Sequence, residues 1–373
     1  MLKVPYNYLP QQFSDPSLII ADWIELIKST DFTLGEYVVK FESIFADYVG
    51  AKYCIATNNG TDALILSLKS LRIGSGDEVI TVCNSFYATT GAIVAVGAIP
   101  VFVDCDDRYQ IDANKIESVI TNKTKAIVPV HWGGASPDMK KIMQIANNYN
   151  LKVVEDACMG IGGKISNISP GNIGECGAYS MHPLKSLNVM GDGGMVTTNN
   201  SEIYSWMTKY RNHGMIDRDH IDFWGVNMRL QPLQAIVAMR CLPELDNIIT
   251  IRNKNAEKMD KLLSIDELIP YVTPPKRCKS NVETHALYMG LFKNRDTLKE
   301  FLESNGIEVK IHYPIPLHLQ KSAQVYGYKV GDFPVSEAQA KELLTIPIHQ
   351  FVNEEMIDWI ANCIKRFYLG QRN

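Results

Sequence analysis

The chain has 373 residues, of which 46% are hydrophobic and 21% charged, too long for one ordinary core and too apolar for disorder; one large α/β domain and a smaller one are predicted. Its 37 basic and 41 acidic residues give a formal charge of -4, with no basic block to track a phosphate backbone, which argues against nucleic acid as a partner. No apolar run reaches the ~18 residues that span a bilayer, and "MLKVPYNYLPQQF" lacks the cationic and apolar sections of a signal peptide, so a cytoplasmic protein with no membrane partner is expected.

Along the chain, "IIADWIELI" and "YVVKFESIFADYV" carry apolar residues at helical spacing, predicting two helices before the first strand. "AKYCIATNNGTDALILSLKSL" then reads as a strand, a turn of small and amide residues, and a helix starting near Thr61 or Asp62. Further strands are predicted at "DEVITVC", "IPVFVDCD", "KAIVPVH" and "LKVVEDAC", with helices at "SFYATTGAIVAVG" and "PDMKKIMQIANNY". This alternation favours a mostly parallel sheet covered on both faces, with ligands at the carboxyl ends of the strands, where Asn59, His131 and Asp156 fall. From about residue 250 the charged "RNKNAEKMDKLLS" opens a second regime, so the large domain is assigned to 1–250 and the small C-terminal α/β domain to 251–373, with "PPKRCKSN" as a connecting loop. The eight cysteines form no C-x-x-C pair and no metal pattern, and are expected to be buried thiols.

Three stretches could carry chemistry. "NNGTDAL" (58–64) exposes backbone N–H groups at a helix start, which suits a phosphate, although an ordinary helix cap reads the same way. "VVEDAC" closes a buried strand with Glu155 and Asp156; such a carboxylate can hold a proton on a ring nitrogen or orient a histidine, and it can also be a cap or a solvated loop acid. "SMHPLKSLNVMGDGGMV" (180–196) places Lys185 in a loop bounded by proline and glycine. There a desolvated amine could condense with an aldehyde, although a lysine of this kind also reads as a surface residue whose stem lies along apolar atoms. Phosphate cradle, strand-end carboxylate and lysine, in that chain order, match the needs of pyridoxal 5'-phosphate (PLP): an anion site, an acid partner for the pyridine nitrogen and an amine for the aldehyde.

With these segments, and with "HWGGASPDMKKI", "RNHG", "GVNMRLQPLQAIVA" and "IHYPIPLHLQ", nearly the whole chain resembles the DegT/DnrJ/StrS aminotransferases, which act mainly on nucleotide-linked keto-sugars. The resemblance implies the PLP-dependent aspartate-aminotransferase-like fold (fold type I). It makes Lys185 and Asp156 catalytic, Lys185 carrying the cofactor as a Schiff base and moving protons, Asp156 pairing with the ring nitrogen. It implies further that Gly60, Thr61 and Ser180 bind the cofactor phosphate, that Phe86 stacks on the ring, and that Asn227 reaches the phosphate of a partner chain in a homodimer with shared active sites. Arg229, His312 and Tyr313 fall at substrate-binding positions. No metal is implied.

The implied reaction moves an amino group from L-glutamate to a keto-sugar, most simply a dTDP-, UDP- or GDP-linked one, in surface polysaccharide or deoxyaminosugar biosynthesis. A smaller phosphorylated ketone not linked to a nucleotide stays open. So does a PLP-dependent sugar dehydratase, although relatives with that chemistry carry histidine at the lysine position. His182 is read as a packing or cofactor-side residue. A regulator that kept the fold could lose the lysine or the carboxylate, and this chain has both; a nicotinamide dehydrogenase would need a G-x-G-x-x-G after the first strand. Two departures from the family pattern are Met159, where a glutamine usually hydrogen-bonds near the ring hydroxyl, a bond methionine cannot donate, and "HWGG" (131–134), which together with "YRNHGMIDRDHIDFWG" is expected to shape the substrate pocket.

Overall fold

The computed structural model describes residues 2–370. In chain order, β1 (Tyr53–Thr57), β2 (Glu78–Val82), β3 (Ile99–Val103), β4 (Thr124–Val128) and β5 (Lys152–Asp156) are mostly separated by helices, and β6 (Lys164–Ile165), β7 (Cys176–Ser180) and β8 (Gly194–Thr198) follow with no helix between them. Seven of them form one sheet in the order β1-β8-β7-β5-β4-β2-β3. From β7 to β3 the pairings are parallel; β8 alone runs against both of its neighbours, β7 and β1. The expected mostly parallel sheet is therefore present, with one reversed strand inside it.

Its strands are short and buried nearly end to end, as β5 and β7 show, because helices cover both faces. On one face Phe41 and Phe45 of the helix Gly35–Val49 pack against Tyr179 and the helix Pro232–Cys241. On the other, Leu64 and Leu68 of the helix Gly60–Ser70 meet Ile93 and Met207. Each such side chain, fully withdrawn from water, contributes roughly 1.5–3 kcal/mol.

A separate apolar cluster gathers Ala256, Met259, Leu298, Leu344 and Ile360 around a three-stranded antiparallel sheet. That sheet consists of β9 (Val272–Thr273), β11 (Tyr288–Phe292) and β12 (Leu343–Ile346), ordered β12-β11-β9; β10 (Asn281–Val282) pairs instead with β6. Val4 belongs to this cluster and bridges to Ile307. The helix Leu245–Leu263 runs through residue 250 without a break.

Three details depart from the sequence reading. A third short helix, Leu9–Gln12, precedes the two expected before β1. The helix after β1 begins at Gly60, because the Asn59 side chain accepts from the Asp62 N–H at 2.8 Å and fixes the cap one residue early. Cys158, Cys241 and Cys278 are only partly buried; the other five cysteines are buried, and all eight are free thiols.

Candidate active site

Because β1, β2, β5 and β7 all point the same way, the residues that follow them gather along one sheet edge. There a cleft of ≈ 280 Å³ opens, lined by Gly60, Thr61, Phe86, Asp156, Ser180, Lys185, His312 and Tyr313. Eight of the ten residues singled out from the sequence thus share one wall. Asn227 and Arg229 do not: the Arg229 Nε–H donates to Asn227 Oδ1 at 3.0 Å and an Nη1–H to Asn212 Oδ1 at 3.0 Å, outside the cleft.

Gly60 sits where no other residue fits. A Cβ there would lie 2.7 Å from the Ser180 Cβ and 3.0 Å from the Cys158 sulfur. Its absence lets the first turn of the helix Gly60–Ser70 approach Ser180 closely, with the N–H groups that have no partner inside the helix at the cleft. Phe86, at the N-cap of the helix Tyr87–Ala95, is half exposed into the same space. An anion-favouring helix start, a hydroxyl and an open aromatic face are therefore juxtaposed.

Asp156 ends β5, 5% exposed. The Thr89 hydroxyl donates to its Oδ2 at 2.7 Å and the Cys158 N–H to its Oδ1 at 3.2 Å. Its neighbour Glu155 points to the opposite face, as strand geometry requires, and accepts from the N–H groups of Gly171, Ile173 and Gly174 at 2.9, 2.6 and 2.8 Å. The His131 Nε2 lies 3.0 Å from it and His131 Nδ1 is 2.9 Å from the Ser136 hydroxyl. Burial alone would raise the Glu155 pKa, but His131 and the amides outweigh it and hold it below the usual carboxylate value. His131, at a strand end as expected, serves this buried knot.

Lys185 follows Leu184, whose φ of 72° is left-handed and costly for a residue with a Cβ. The surrounding structure imposes it. The Tyr8 hydroxyl donates to the Lys185 carbonyl at 2.9 Å while accepting from an Arg252 Nη2–H at 3.1 Å, and the Lys185 N–H donates to the His182 carbonyl at 3.0 Å. Among the described residues the Lys185 ammonium has no hydrogen-bond or ion-pair partner. Burial lowers its pKa, against the opposing influence of Cys158 and Asp156. The "GDGG" turn that follows brings the chain back as β8, with the Met181 N–H donating to the Gly193 carbonyl at 2.8 Å.

His312 Nδ1 is 2.8 Å from the Thr345 hydroxyl, and burial, then the charges of Lys185 and Lys310, lower its pKa to about 4. The Tyr313 ring lies 6.1, 5.2 and 5.7 Å from those of Phe86, Tyr87 and Trp132, and burial raises its pKa to about 12. Met159 lines the cleft, and its carbonyl accepts from the Thr284 hydroxyl. His182, also on the wall, is exposed. Trp132, in the "HWGG" stretch expected at the substrate pocket, lines the cleft, whereas the sequence reading missed Tyr8 and Thr89. Only Thr89 carried a local signal, three positions after Phe86 on the same helical turn.

Residues 15–365 match the sequence model of the DegT/DnrJ/EryC1/StrS aminotransferase family. The chain is 38% identical to a pleiotropic regulatory protein of Geobacillus stearothermophilus, covering 98% of this chain and 99% of that one. It is 36% identical to a UDP-N-acetyl-3-dehydro-alpha-D-glucosamine 3-aminotransferase of Acidithiobacillus ferrooxidans, covering 93% and 92%. Among solved structures it resembles NtdA from Bacillus subtilis with bound cofactor PMP, with a TM-score of 0.91, 29% identity and coverage of 99% and 86%.

Proposed function

We propose, on the premise that this chain belongs to the DegT/DnrJ/EryC1/StrS aminotransferase family, that it moves an amino group from L-glutamate to the keto group of a nucleotide-linked sugar, using pyridoxal 5'-phosphate. The observation that carries the reading is the Lys185 amine, without a partner among the described residues, in the same cleft as the Asp156 carboxylate and the open start of the helix Gly60–Ser70. That donor set fits the cofactor: N–H groups and the Ser180 hydroxyl for the phosphate, Asp156 for the ring nitrogen, Lys185 for the aldehyde, Phe86 for the ring face. When bound, the cofactor supplies an electron sink for a carbon–hydrogen bond beside nitrogen.

The chain's own groups then divide the work. Asp156 keeps a proton on the ring nitrogen by offering it a carboxylate. Lys185, whose ammonium is disfavoured by burial, is free to take a proton from the amino-bearing carbon of the donor and return one on the other side of the transfer. Tyr313, Tyr87 and Trp132 form an aromatic wall that limits water at the reacting carbon. His312, neutral above about pH 4, and Tyr313 offer hydrogen-bonding groups for a sugar.

The reading extends to a homodimer. Asn227 lies outside the cleft of its own chain on an exposed segment with Trp224 88% and Ile216 61% exposed, and a second copy that covers this surface would receive Asn227 at its phosphate and Arg229 at its substrate. It also includes a large unit of about 1–250 and a small one of about 251–373, supported by the separate apolar clusters, with Val4 joining the second. Met159, in place of a glutamine, would leave the ring hydroxyl to another donor. We place the product in surface polysaccharide or deoxyaminosugar biosynthesis.

The test is spectroscopic. The protein reconstituted with PLP should be yellow, borohydride should fix the cofactor to the peptide carrying Lys185, and glutamate should convert it to pyridoxamine phosphate. Keto-sugars with and without a nucleotide, and a phosphorylated ketone, then compete to regenerate the starting spectrum. Label on another peptide, or a spectrum unmoved by every amino donor, overturns the reading.

A further inference from the structure

The helix Tyr87–Ala95 does more than carry Phe86 at its cap. Its third residue, Thr89, is 1% exposed and donates its hydroxyl to Asp156 Oδ2 at 2.7 Å. An ionised carboxylate can only accept, so the single Thr89 proton is committed to Asp156, and the free lone pairs of the Thr89 oxygen face Ser85, also 1% exposed, whose hydroxyl lies 3.1 Å away and can donate to it. The Ser85 hydroxyl has two acceptors in reach, the Phe86 carbonyl at 3.2 Å and Thr89; when it donates to Thr89, Ser85 to Thr89 to Asp156 is a chain of donors ending on the carboxylate, shielded from water, where such chains strengthen one another. The Cys158 N–H holds the other oxygen, so the carboxylate is gripped at both ends.

We infer that Thr89 is a positioning residue for the ring-nitrogen acid: its hydroxyl fixes the plane of the Asp156 carboxylate toward the cleft and stabilises the ionised form. The inference rests on the reading of Asp156 given above. The titratable groups facing Asp156 are Lys185 and Cys158; Thr89 and Ser85 add hydroxyls and no charge, so replacing either leaves the charge of the cleft unchanged. Thr89→Val removes the hydroxyl at nearly constant shape, and Thr89→Ser returns it.

The experiment compares wild type, Thr89→Val, Thr89→Ser and Ser85→Ala, each as full chain reconstituted with PLP. Three quantities are read: the PLP dissociation constant of the apoprotein, the bound-cofactor spectrum against pH, and kcat and KM with glutamate. For Thr89→Val the PLP dissociation constant should rise and kcat fall by about tenfold each, the scale of one hydrogen bond to a charged group. With the carboxylate less firmly oriented, the pH dependence of the bound-cofactor spectrum of Thr89→Val should differ from that of wild type. Thr89→Ser should restore all three to within about threefold, and Ser85→Ala should shift them in the same direction by less. A Thr89→Val protein that titrates and binds PLP like wild type overturns the inference. So does a folded Thr89→Ser protein as impaired as Thr89→Val. Should the valine variant fail to fold, Thr89→Ala makes the same comparison. A wild-type protein that takes up no PLP overturns instead the reading of the site as a whole.

Discussion

Two charged regions lie back to back at the end of β5, one built around Glu155 and the other around Asp156 and Lys185. In the first, the carboxylate, 0% exposed, accepts from three backbone N–H groups and sits against a histidine that is itself held by Ser136. In the second, a lysine with no partner for its ammonium among the described residues lies near a carboxylate gripped by one hydroxyl and one amide. A buried charge with all its bonds made secures the fold; one left incomplete leaves room for a ligand to complete it. Sequence adjacency therefore says little about shared role: Glu155 organises the loop 171–174, Asp156 the cleft.

The contrast can be broken most sharply at Lys185. Lys185→Ala should lower turnover with glutamate by about a thousandfold or more, yet leave the melting temperature equal or higher, because an amine that burial disfavours has been removed. A large loss of Tm would show that the lysine is structural. On the other side, Glu155→Gln should cost about 3–5 kcal/mol of stability by stranding His131 and the loop amides, measured by urea unfolding, with specific activity falling only as the folded fraction falls. Asp156→Asn reverses that pattern: about a hundredfold in kcat, and a urea midpoint close to wild type.

Acid should separate the regions more gently. His312 in the cleft and His349 against the Tyr8 ring have pKa values lowered from 6.5 to about 4, in each case first by burial. Between those values the unfolded chain binds protons that the folded chain refuses, so the stability these histidines contribute is present above pH 6.5 and is lost as pH falls toward about 4. Glu155 follows the carboxylate rule: its folded pKa lies below its unfolded one, and its contribution disappears only as pH falls through that lower range. His349→Gln should flatten the slope of stability between pH 6.5 and 4. An unchanged slope would mean that His349 takes up its proton in the folded chain as readily as in the unfolded one.

Much of this was legible in the residues. The strands β1 to β5 are short β-branched runs bounded by turns, and the helices after them carry apolar residues at their own period, so type and order followed from local pattern. Strands β7 and β8, "CGAYS" and "GMVTT", were harder, because glycines pack them tightly without an apolar signature; a Cβ at Gly177 would lie 2.1 Å from the Gly171 carbonyl oxygen. The pairing of β8 with β1 and the part of Val4 in the second cluster depend on partners 137 to 303 residues away in sequence, beyond the reach of any local pattern. Tyr8 was missed for the same reason, since a tyrosine near the N-terminus gains its role only from what folds against it; the place of Thr89 one helical turn after Phe86 was a local signal, but the carboxylate it meets was not.

By itself the sequence determined the chemistry on offer: an open helix start within residues 58–64, two adjacent carboxylates on opposite sides of one strand, and a lysine before a glycine turn. Those follow from short-range geometry, the two-residue period of a strand and the caps of a helix. Only the tertiary structure decided which carboxylate faces the cleft and which is closed off, and whether the lysine amine lies near the surface with a partner or inside without one. These depend on long-range strand pairing and on burial, and burial changes the charge state a side chain prefers.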